Sequence, residues 1–392
     1  MADSRLRLSI DVTAVPTRAV GAGHYTLALV GALARRPDVD LVLFSRQSDG
    51  ARWRAMAGRG EVLAAAPEAR PLRLAWEQIR LPGLVVRHGV AVHHGPHYTM
   101  PERSRVPTVV TVHDLSFFAE PRWHQRSKVL LFRRAIAVAA RRASVVVCPS
   151  RSTAEGLARW CRVEADVVVA HHGVDTGRFH PGESTPGADA ALLSPVDPRL
   201  VDGRPVLVFV GTLEPRKDVP TLVAAFARVA GRHPDALLVL AGGRGWGADE
   251  VDRAVGRSGC SAQIVRTGYV DDQVIPALLR SATAAVYPAL YEGFGLPALE
   301  ALACGVPLIT TSGTAMEEVA GDTAVLVAPG DQSRLADALD AELTGARDTR
   351  SEADRRRRGF DIVADHTWAA SADRHMEAYR AAARRSLHPR GC

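Results

Sequence analysis

Cysteine is scarce in this sequence of 392 residues, and the five that occur are scattered, odd in number and never arranged as CxxC. This distribution argues against a disulfide framework and against a zinc ribbon, since both need paired or regularly spaced cysteines. We therefore expect the cysteines to be small buried residues in a reducing compartment. They are Cys148, Cys161, Cys260, Cys304 and Cys392.

Long apolar segments are also missing. No apolar run reaches the roughly 18–20 residues that a membrane-spanning helix needs. The first residues, MADSRLRLSID, lead directly into a strand-like segment and lack the apolar centre of a signal peptide. These two absences predict a cytoplasmic protein.

Lysine is nearly absent, because arginine supplies almost all of the basic charge and Lys128 and Lys217 are the only lysines. The net charge of +6 suits an anionic partner such as a nucleotide, a nucleic acid or an acidic membrane surface. Chance alone can leave two lysines in a sequence, but Lys217 falls within a motif described below.

The rest of the composition is that of a globular protein, with 47% hydrophobic and 23% charged residues. The length predicts two domains. Short β-branched runs alternate with helical patterns along the whole chain, which predicts an α/β fold with two doubly wound parallel sheets. In the first half the strand candidates are Leu6–Val12, Leu41–Phe44, Val90–His94, Thr108–His113, Val145–Cys148 and Val167–Ala170. In the second half they are Val206–Val210, Leu237–Ala241, Ile264–Thr267, Ala284–Tyr287, Pro307–Thr310 and Ala324–Val327.

The alternation is interrupted over Gly177–Pro205, a stretch rich in proline, glycine, serine and alanine that has no sustained periodicity. Such a composition is typical of a linker between domains. The predicted organisation is a first domain over residues 1–185, a linker over 186–204, a second domain over 205–367 and a C-terminal helix over 368–392. We expect this helix to pack back toward the first domain.

The segment YEGFGLPALE, Tyr291–Glu300, carries the strongest functional signal. It follows a strand candidate, contains two glycines and opens a helix that has Pro297 in its first turn. A helix start of this kind presents free backbone N–H groups to an anion. The carboxylate of Glu300, about one turn into the helix, can accept two adjacent hydroxyls, and Glu292 can accept the hydroxyls of a second ring. Two ordinary surface glutamates beside a tight turn are the alternative.

The segment VGTLEPRKD, Val210–Asp218, places two cations, Arg216 and Lys217, on a loop between a strand and a helix. Adjacent cations near a helix N-terminus suit a diphosphate group. A solvated charged turn is the alternative interpretation.

Two motifs in the first half lie at predicted strand ends, where ligands converge in parallel sheets. Gly21 and Gly23 stand between a strand and a helix, although they do not form a complete GxGxxG fingerprint. His113 and Asp114 lie at the carboxyl end of the strand candidate Thr108–His113, as candidate site residues or as polar caps. The spacing HHGPH suggests zinc, but no cysteine or carboxylate completes a ligand set nearby. We therefore predict no metal.

Together these motifs resemble the family 4 retaining glycosyltransferases of GT-B fold, which have two Rossmann-like domains facing a central cleft. The resemblance implies that the first domain lies on the acceptor side and that the second binds the donor nucleotide. The resemblance implies that Glu300 binds the ribose hydroxyls and that Glu292, with the backbone of Gly293, Phe294, Gly295 and Leu296, holds the donor sugar. It implies that Lys217 binds the donor diphosphate in the loop containing Gly211 and Thr212. Many relatives have arginine at the position of Thr212, so Arg216 is expected to supply the second cation. The backbone around Tyr269 and Val270 is expected to cradle the nucleobase, Gly21 and Gly23 to approach the diphosphate, and His113, beside Asp114, to approach the donor sugar.

The expected chemistry needs no cofactor. Arg216, Lys217 and the helix N-termini would offset the leaving-group charge that other transferases meet with a divalent metal, and the sequence contains no Asp-x-Asp motif. No carboxylate is left over as a covalent nucleophile. The resemblance implies front-face substitution, in which the departing phosphate helps to deprotonate the acceptor.

The motifs HDLSFF and GTLEPRK resemble mannosyl- and rhamnosyltransferases of the cell envelope, which implies GDP-mannose as donor and a glycan or lipid-linked acceptor. Other GT-B enzymes (a rhamnosyl- or glucosyltransferase, an epimerase or a phosphorylase) and a non-catalytic sugar-nucleotide-binding subunit stay open as alternatives. A nicotinamide-dependent oxidoreductase is excluded by its missing fingerprint, and no nucleic acid partner is expected. The basic, partly apolar segment Arg126–Arg142 is either a buried helix with charged ends, which we favour, or a contact with an anionic membrane on its cytoplasmic face.

Overall fold

The computed structural model describes residues 5–19, 21–182, 187–345 and 349–387. The chain forms two compact units, one of Met1–Gly173 with Trp368–Cys392 and the other of Val174–Thr367. We call them unit 1 and unit 2. Each is an α/β unit built on one parallel sheet, which confirms the predicted fold class of two doubly wound domains.

Unit 1 contains a seven-stranded parallel sheet. Its strands are β1 (Leu6–Asp11), β2 (Val39–Arg46), β3 (Glu61–Ala66), β4 (Val92–Gly95), β5 (Thr108–Thr111), β6 (Val145–Cys148) and β7 (Asp166–Val169). Its helices are α1 (Ala22–Ala34), α2 (Gly50–Met56), α3 (Arg70–Ile79), α4 (Leu81–Arg87), α5 (Ser116–Ala119), α6 (Arg126–Arg142) and α7 (Arg151–Trp160). The strand order is β3-β2-β1-β4-β5-β6-β7, so the winding direction reverses between β1 and β4.

Unit 2 repeats this design with a six-stranded parallel sheet. Its strands are β8 (Val206–Val210), β9 (Leu237–Ala241), β10 (Ile264–Gly268), β11 (Ala284–Tyr287), β12 (Leu308–Thr311) and β13 (Val325–Val327). Its helices are α8 (Ala188–Leu193), α9 (Val219–Ala230), α10 (Ala248–Arg257), α11 (Val274–Ser281), α12 (Leu296–Ala303), α13 (Ala315–Ala320), α14 (Gln332–Leu343) and α15 (Thr349–Asp365). The order β10-β9-β8-β11-β12-β13 reverses between β8 and β11.

The central strands are buried on both faces, which explains why they are almost uninterrupted runs of β-branched and aliphatic residues. Every residue of β8, VLVFV, and of β6, VVVC, is buried. Helices cover the sheets and complete one large core in each unit. Hydrophobic burial on this scale is the main stabilising term of such a fold.

The last helix, α16 (Trp368–Leu387), belongs to unit 1 although it follows unit 2 in sequence. Ala372, Met376 and Tyr379 are buried in the same cluster as Leu8 and Ile10 of β1. The C-terminal segment therefore completes the core of the first unit.

The predicted linker was 186–204, and the part of it that the structure describes, 187–204, belongs to unit 2. This part contains α8, whose Asp189 accepts a 2.7 Å hydrogen bond from Arg280 Nε on α11. Leu193 and Leu200 are buried in the unit 2 core. Short turns and few periodic residues hid these contacts from the sequence pattern. The predicted boundary at 185–186 lies outside the described residues, and unit 2 already begins at Val174.

Within the described part of the chain, none of the helices combines the length and hydrophobicity that crossing a membrane requires. Helix α6 packs one face into unit 1, where Val129, Ile136, Ala139 and Ala140 are buried. This favours the buried-helix interpretation of that segment. Cys148 and Cys304 are buried, whereas Cys161 and Cys260 are only half-buried, and none of these four is in a disulfide.

Candidate functional site

The loops that follow β8 and β11 meet at the point where the unit 2 sheet reverses direction. These strands are hydrogen-bonded neighbours, so their carboxyl ends open on the same edge. The backbone N–H of Leu290 donates to the carbonyl of Arg216 at 2.8 Å, which joins the two loops directly. Ligands in doubly wound sheets bind at this position, and both strongest sequence motifs fall on it.

An ion cluster fills this junction. The carboxylate of Glu292 accepts a hydrogen bond from Lys217 Nζ through Oε1 and one of 2.8 Å from Arg216 through Oε2. Arg216 Nε also donates to Glu214 at 3.0 Å. Lys217 and Glu292 are each 8% exposed, so both charges have left water. A buried pair is stable only when well hydrogen-bonded, as this one is.

The pKa values show how strongly the three groups interact. Burial alone would raise the pKa of Glu292, but the charges of Arg216 and Lys217 outweigh it and lower the value to about 2. Burial lowers the pKa of Lys217, and the Glu292 carboxylate offsets part of that effect. Glu292 is therefore ionised at neutral pH, and the junction contains two cations, Arg216 and Lys217, beside it.

The glycine loop before α12 has the backbone geometry that its sequence predicts. Gly295 has φ of 107° and precedes the first helical residue, Leu296. A Cβ at Gly295 would lie 2.9 Å from Met316 Cγ, so a larger residue would be both strained and crowded there. Phe294 is buried and its ring lies 6.2 Å from that of His366. Gly293 is buried in the same loop.

Glu300 is half-buried on α12 and differs from Glu292 in its protonation. Burial raises the pKa of Glu300 to about 7. The negative charge of Asp272 also raises this pKa, whereas the positive charges of Arg178 and Lys217 lower it. Arg178 donates to the backbone carbonyl of Asp272, so the two form one group beside Glu300. The hydroxyl of Tyr287 is buried and, among the described residues, has no hydrogen-bond partner.

The sequence did not identify Arg178, Asp272 or Tyr287 as site residues. Tyr287 is the last residue of β11. Because ligands bind at the carboxyl ends of parallel strands, its position could have identified it as a candidate from the sequence alone. Arg178 falls inside the stretch interpreted as a linker, and only the tertiary fold brings it to Asp272.

The remaining predicted residues of unit 2 surround this junction. Gly211 donates its N–H to Ala241, and its carbonyl oxygen would lie 2.0 Å from a Cβ on Gly242. The carbonyl of Thr212 accepts from Glu214 N–H at 2.9 Å. Tyr269 is exposed after β10, and the side chain of Val270 packs against the core. Their backbone is thus held at the edge of the same sheet.

In unit 1, the first glycine loop opens α1. Gly21 has φ of 47° and caps the helix, and a Cβ on it would meet nothing within 4 Å, so its backbone conformation is what requires glycine. Gly23 is different, since a Cβ there would lie 3.2 Å from Ala19 Cβ. One glycine serves the turn and the other serves close packing.

His113 lies two residues beyond the end of β5 and is buried. Its Nε2 lies 2.6 Å from the carbonyl oxygen of Pro96, and its ring centroid is 5.0 Å from that of Tyr25 on α1. Burial lowers its pKa. Asp114 has a local role, because Oδ1 accepts from both Ser116 N at 2.9 Å and Ser116 Oγ at 2.6 Å.

The histidines of HHGPH are hydrogen-bonded within unit 1. His93 pairs with Ser9 at 2.8 Å, His94 with Thr111 at 2.8 Å, and His97 with Thr26 at 3.3 Å. Over the residues that the structure describes, no group of three histidine, cysteine or acidic side chains stands together as metal ligands would.

Two families match the sequence: Glycosyl transferases group 1 over residues 194–358 and Glycosyltransferase Family 4 over residues 20–178. The chain is 29% identical over 334 residues to O-antigen chain mannosyltransferase B of Escherichia coli, covering 79% of this chain and 84% of that relative. The structure is similar to sucrose-phosphate synthase from Thermosynechococcus elongatus, with a TM-score of 0.75, 22% identity, and 96% and 98% of the two chains covered. It is also similar to HepE of Anabaena in complex with UDP-glucose, with a TM-score of 0.72, 19% identity, and 96% and 100% covered.

Proposed function

Because the chain belongs to the group 1 glycosyltransferases of family 4, we propose that it is a retaining enzyme that uses a nucleotide-diphosphate hexose. We take the donor to be GDP-mannose and the acceptor to be a glycan or glycolipid of cell-envelope biosynthesis. The ion cluster at the unit 2 junction is the observation that carries the proposal, because it holds the buried Lys217 and the half-buried Arg216 where a diphosphate would arrive.

In this proposal the donor diphosphate replaces Glu292 as the hydrogen-bond partner of Arg216 and Lys217. A diphosphate brings two or more negative charges to Arg216 and Lys217, so it competes with the single carboxylate for both cations. Once those cations turn to phosphate oxygens, Glu292 becomes free to accept the hydroxyls of the donor sugar. Donor binding and sugar orientation are thereby coupled through one side chain.

Departure of the nucleoside diphosphate is promoted by charge stabilisation. Arg216 and Lys217 are fixed in a site with little water, where their interaction with the developing phosphate charge is stronger than in solution. The N-terminus of α12 faces the same loop and favours negative charge. The proposal needs no metal or cofactor, and the departing phosphate takes the acceptor proton in front-face substitution.

The ribose is assigned to Glu300. Its pKa near 7 leaves the carboxyl partly protonated before a ligand binds. Two ribose hydroxyls donating to it would favour the ionised form. Arg178 and Asp272 stand beside it and would border the nucleoside.

The identity of the sugar rests on the mannosyltransferase of Escherichia coli, whose similarity extends over most of both chains. A glucosyl donor is the second candidate, because HepE is bound to UDP-glucose. Similarity of fold at 19% identity carries less weight than the sequence relationship.

The test is a thermal-shift panel of GDP-mannose, UDP-glucose, dTDP-rhamnose and ADP-glucose with purified protein. A ligand at about 100 times its Kd stabilises the state that binds it by about 2.7 kcal/mol. We expect GDP-mannose to raise the midpoint by several degrees and Lys217→Ala to abolish this ligand-dependent shift.

Lys128→Ala, which changes the only other lysine, is the matched control and should retain the full shift. A shift with UDP-glucose alone would replace mannose by glucose as the donor sugar. Absence of any shift in the wild-type protein, or an unchanged shift in Lys217→Ala, would contradict the proposed site.

A further inference from the structure

Two buried hydrogen-bond donors of unit 2 lack an acceptor. In the part of the chain that the structure describes, neither the hydroxyl of Tyr287 nor the Nε–H group of Arg178 has a hydrogen-bond partner. Tyr287 is 2% exposed, and the Nε atom of Arg178 is buried. Buried polar groups are nearly always hydrogen-bonded, because leaving one without a partner is costly. An acceptor that both donors use in only one state of the protein would explain their position.

Tyr287 lies against the face of α12 that carries Glu300. It is the last residue of β11, and α12 packs against that strand. Glu300 and Cys304 stand one helical turn apart on the same face, since the Cys304 N–H donates to the Glu300 carbonyl at 3.1 Å. Burial raises the pKa of the Tyr287 hydroxyl, and the negative charges of Glu300 and Cys304 raise it further. The carboxylate of Glu300 is therefore a strong acceptor on the helix face next to this hydroxyl.

Arg178 approaches the same carboxyl from the segment that begins unit 2. Its guanidinium lies 4.6 Å from the centre of the buried Phe179 ring, and its Nη2 donates to the carbonyl of Asp272 at 2.5 Å. These contacts fix the guanidinium beside α12. Burial raises the pKa of Glu300, and the charge of Arg178 is the strongest influence that lowers it. The position of Arg178 thus favours the ionised carboxyl.

The other groups that act on Glu300 are unsuited to donate to it. Asp272, after β10, can only accept when it is ionised. Lys217, after β8, is bonded to Glu292 and turns to the diphosphate in the proposed function. The thiol of Cys304 is a weak donor, and burial raises its pKa to about 12, so it stays neutral at pH 7.

We propose that Tyr287 and Arg178 are positioning residues that donate hydrogen bonds to the carboxylate of Glu300 in its ionised, nucleotide-binding form. The assignment rests on the proposed function, because it concerns the group assigned there to the ribose. An ionised carboxylate offers about four acceptor positions, so two can take ribose hydroxyls and two can take these donors. Arg178 also holds the backbone of Asp272, so one side chain links the loop after β10 to the ribose-binding helix.

The first experiment follows the Glu300 carboxyl by carbon-13 NMR in the full chain without nucleotide, with its resonance assigned by Glu300→Gln. In the wild-type protein the titration should be centred near pH 7. Tyr287→Phe and Arg178→Met each remove a donor to the ionised form, so each should raise this pKa by about one unit. Arg178→Lys restores the charge without the Nε–H group and should recover only part of the shift.

Two matched controls lie away from Glu300. Tyr379→Phe removes a buried hydroxyl of unit 1, and Arg199→Met removes an arginine of unit 2 that donates to the backbone carbonyl of Ala262 at 2.6 Å. Both should leave the Glu300 titration unchanged. Shifts of the same size in the controls, or an unchanged titration in Tyr287→Phe and Arg178→Met, would overturn the assignment. A shift in only one of these two variants would overturn it for the other residue.

The second experiment measures the affinity for GDP, or for UDP if the thermal-shift panel selects UDP-glucose, in a cycle with Glu300→Ala. We expect Tyr287→Phe to weaken binding at least about fivefold when Glu300 is present and by less than about twofold in Glu300→Ala, because coupled residues are not additive. Equal losses in both backgrounds would mean that Tyr287 acts on the nucleotide without Glu300, contrary to the assignment.

The two experiments separate this assignment from the proposed function. A raised pKa of Glu300 in the variants, together with no binding of any nucleotide sugar, would refute only the proposed function. Nucleotide binding with an unchanged Glu300 titration would refute only the positioning role.

Discussion

The protonation of His113 follows from a single contact. A carbonyl oxygen cannot donate, so the 2.6 Å contact with Pro96 O requires a proton on Nε2. Burial lowers the pKa of His113, which keeps the ring neutral at pH 7. Nδ1 is therefore a hydrogen-bond acceptor. If His113 approaches the donor sugar, as the family resemblance implies, its Nδ1 accepts a hydrogen bond from a hydroxyl and the ring contributes no positive charge.

This tautomer predicts opposite results for two amide substitutions. In His113→Asn the side-chain oxygen can occupy the region of Nδ1 and act as an acceptor, whereas in His113→Gln the amide reaches only the region of Nε2. We expect His113→Gln to lose about tenfold more transfer activity than His113→Asn, since one fixed hydrogen bond is worth roughly this factor. Initial transfer rates with the donor found by thermal shift measure the difference.

The control is the pH profile of the wild-type enzyme, in which protonation of His113 should appear only below the ordinary histidine pKa of 6.5. Equal or higher activity of His113→Gln would show that the Nε2–H group matters more than the acceptor.

Sequence reasoning at the residue scale identified the side chains of the unit 2 junction but not their pairing. Glu292 and Lys217 are 75 positions apart, so only the adjacency of β8 and β11 brings them together. Asp114 shows that a local contact can also escape a prediction made from the sequence. A polar residue near a strand end was a reasonable ligand candidate, but a turn with Ser116, two residues away, uses its oxygen.

At the element scale, α16 is fixed to unit 1 by a hydrogen-bond chain whose direction can be deduced. His375 Nδ1 lies 2.7 Å from the Ser371 carbonyl and must donate to it, so Nε2 accepts from Tyr25 at 2.8 Å. Tyr25 then accepts from Thr111 at 2.8 Å, and Thr111 accepts from His94 Nε2 at 2.8 Å. His94 Nδ1 finally accepts from Tyr379 at 2.8 Å. Burial lowers the pKa of both histidines, His375 to about 4, so each has one proton.

Position in this chain predicts the cost of removing a hydroxyl. Tyr25→Phe breaks two buried hydrogen bonds, because His375 Nε2 loses its donor and the hydroxyl proton of Thr111 loses its acceptor, whereas Tyr379→Phe leaves only His94 Nδ1 without a donor. An unsatisfied buried group costs about 1–3 kcal/mol. We expect Tyr25→Phe to lower the free energy of unfolding by at least about 1 kcal/mol more than Tyr379→Phe. Urea denaturation of both variants measures this, and equal losses would mean that the chain is not oriented as deduced.

Elements with strong β-branched patterns were predicted with accurate bounds, and weak patterns were missed. β6, β8, β9 and β11 begin and end where the sequence predicted. The sequence EVLAAA of β3 has three alanines, which favour strands poorly, and pairing with β2 overrides that preference at the sheet edge. Helix α8 was likewise hidden by its short length.

At the scale of the whole molecule, alternation of strands and helices was enough to predict two doubly wound sheets. The solved relatives, among them sucrose-phosphate synthase, confirm the GT-B fold class. Strand order could not be predicted, because the reversals at β1/β4 and β8/β11 depend on crossovers that leave no local pattern. Those reversals nonetheless determine where the candidate sites lie.

The distribution of buried titratable groups predicts that unit 1 is the acid-sensitive half of the protein. Burial lowers the pKa of six histidines in unit 1, and those of His93 and His97 fall to about 3. The six are His93, His94, His97, His113, His172 and His375. In the unfolded chain each would titrate near 6.5. The unfolded state therefore binds more protons below pH 6.5, and the free energy of unfolding falls as the pH falls.

Raised carboxyl pKa values act in the opposite direction but are fewer. Burial raises the pKa of Glu77 in unit 1 to about 8, so this carboxyl binds its proton more readily in the folded state than in the unfolded state. Glu77 therefore stabilises unit 1 as the pH falls toward 4.5. Asp11 acts in the same sense. The stabilisation from two carboxyls offsets only part of the stability that six histidines lose on acidification. Each unit of difference between the folded and unfolded pKa corresponds to about 1.4 kcal/mol. Unit 1 should lose several kcal/mol between pH 7 and pH 5.

Unit 2 provides the internal control. Glu300, whose pKa is raised to about 7, stabilises unit 2 as the pH is lowered to 5. The pKa of Glu292 is lowered to about 2, so this group reduces the stability of unit 2 only when the pH approaches the unfolded-state pKa of 4.5. Differential scanning calorimetry at pH 7 and pH 5 should show one transition moving down by several degrees while the other stays or rises. Limited proteolysis at the lower midpoint identifies the unit that opens first, and cleavage confined to residues 174–367 would contradict the assignment.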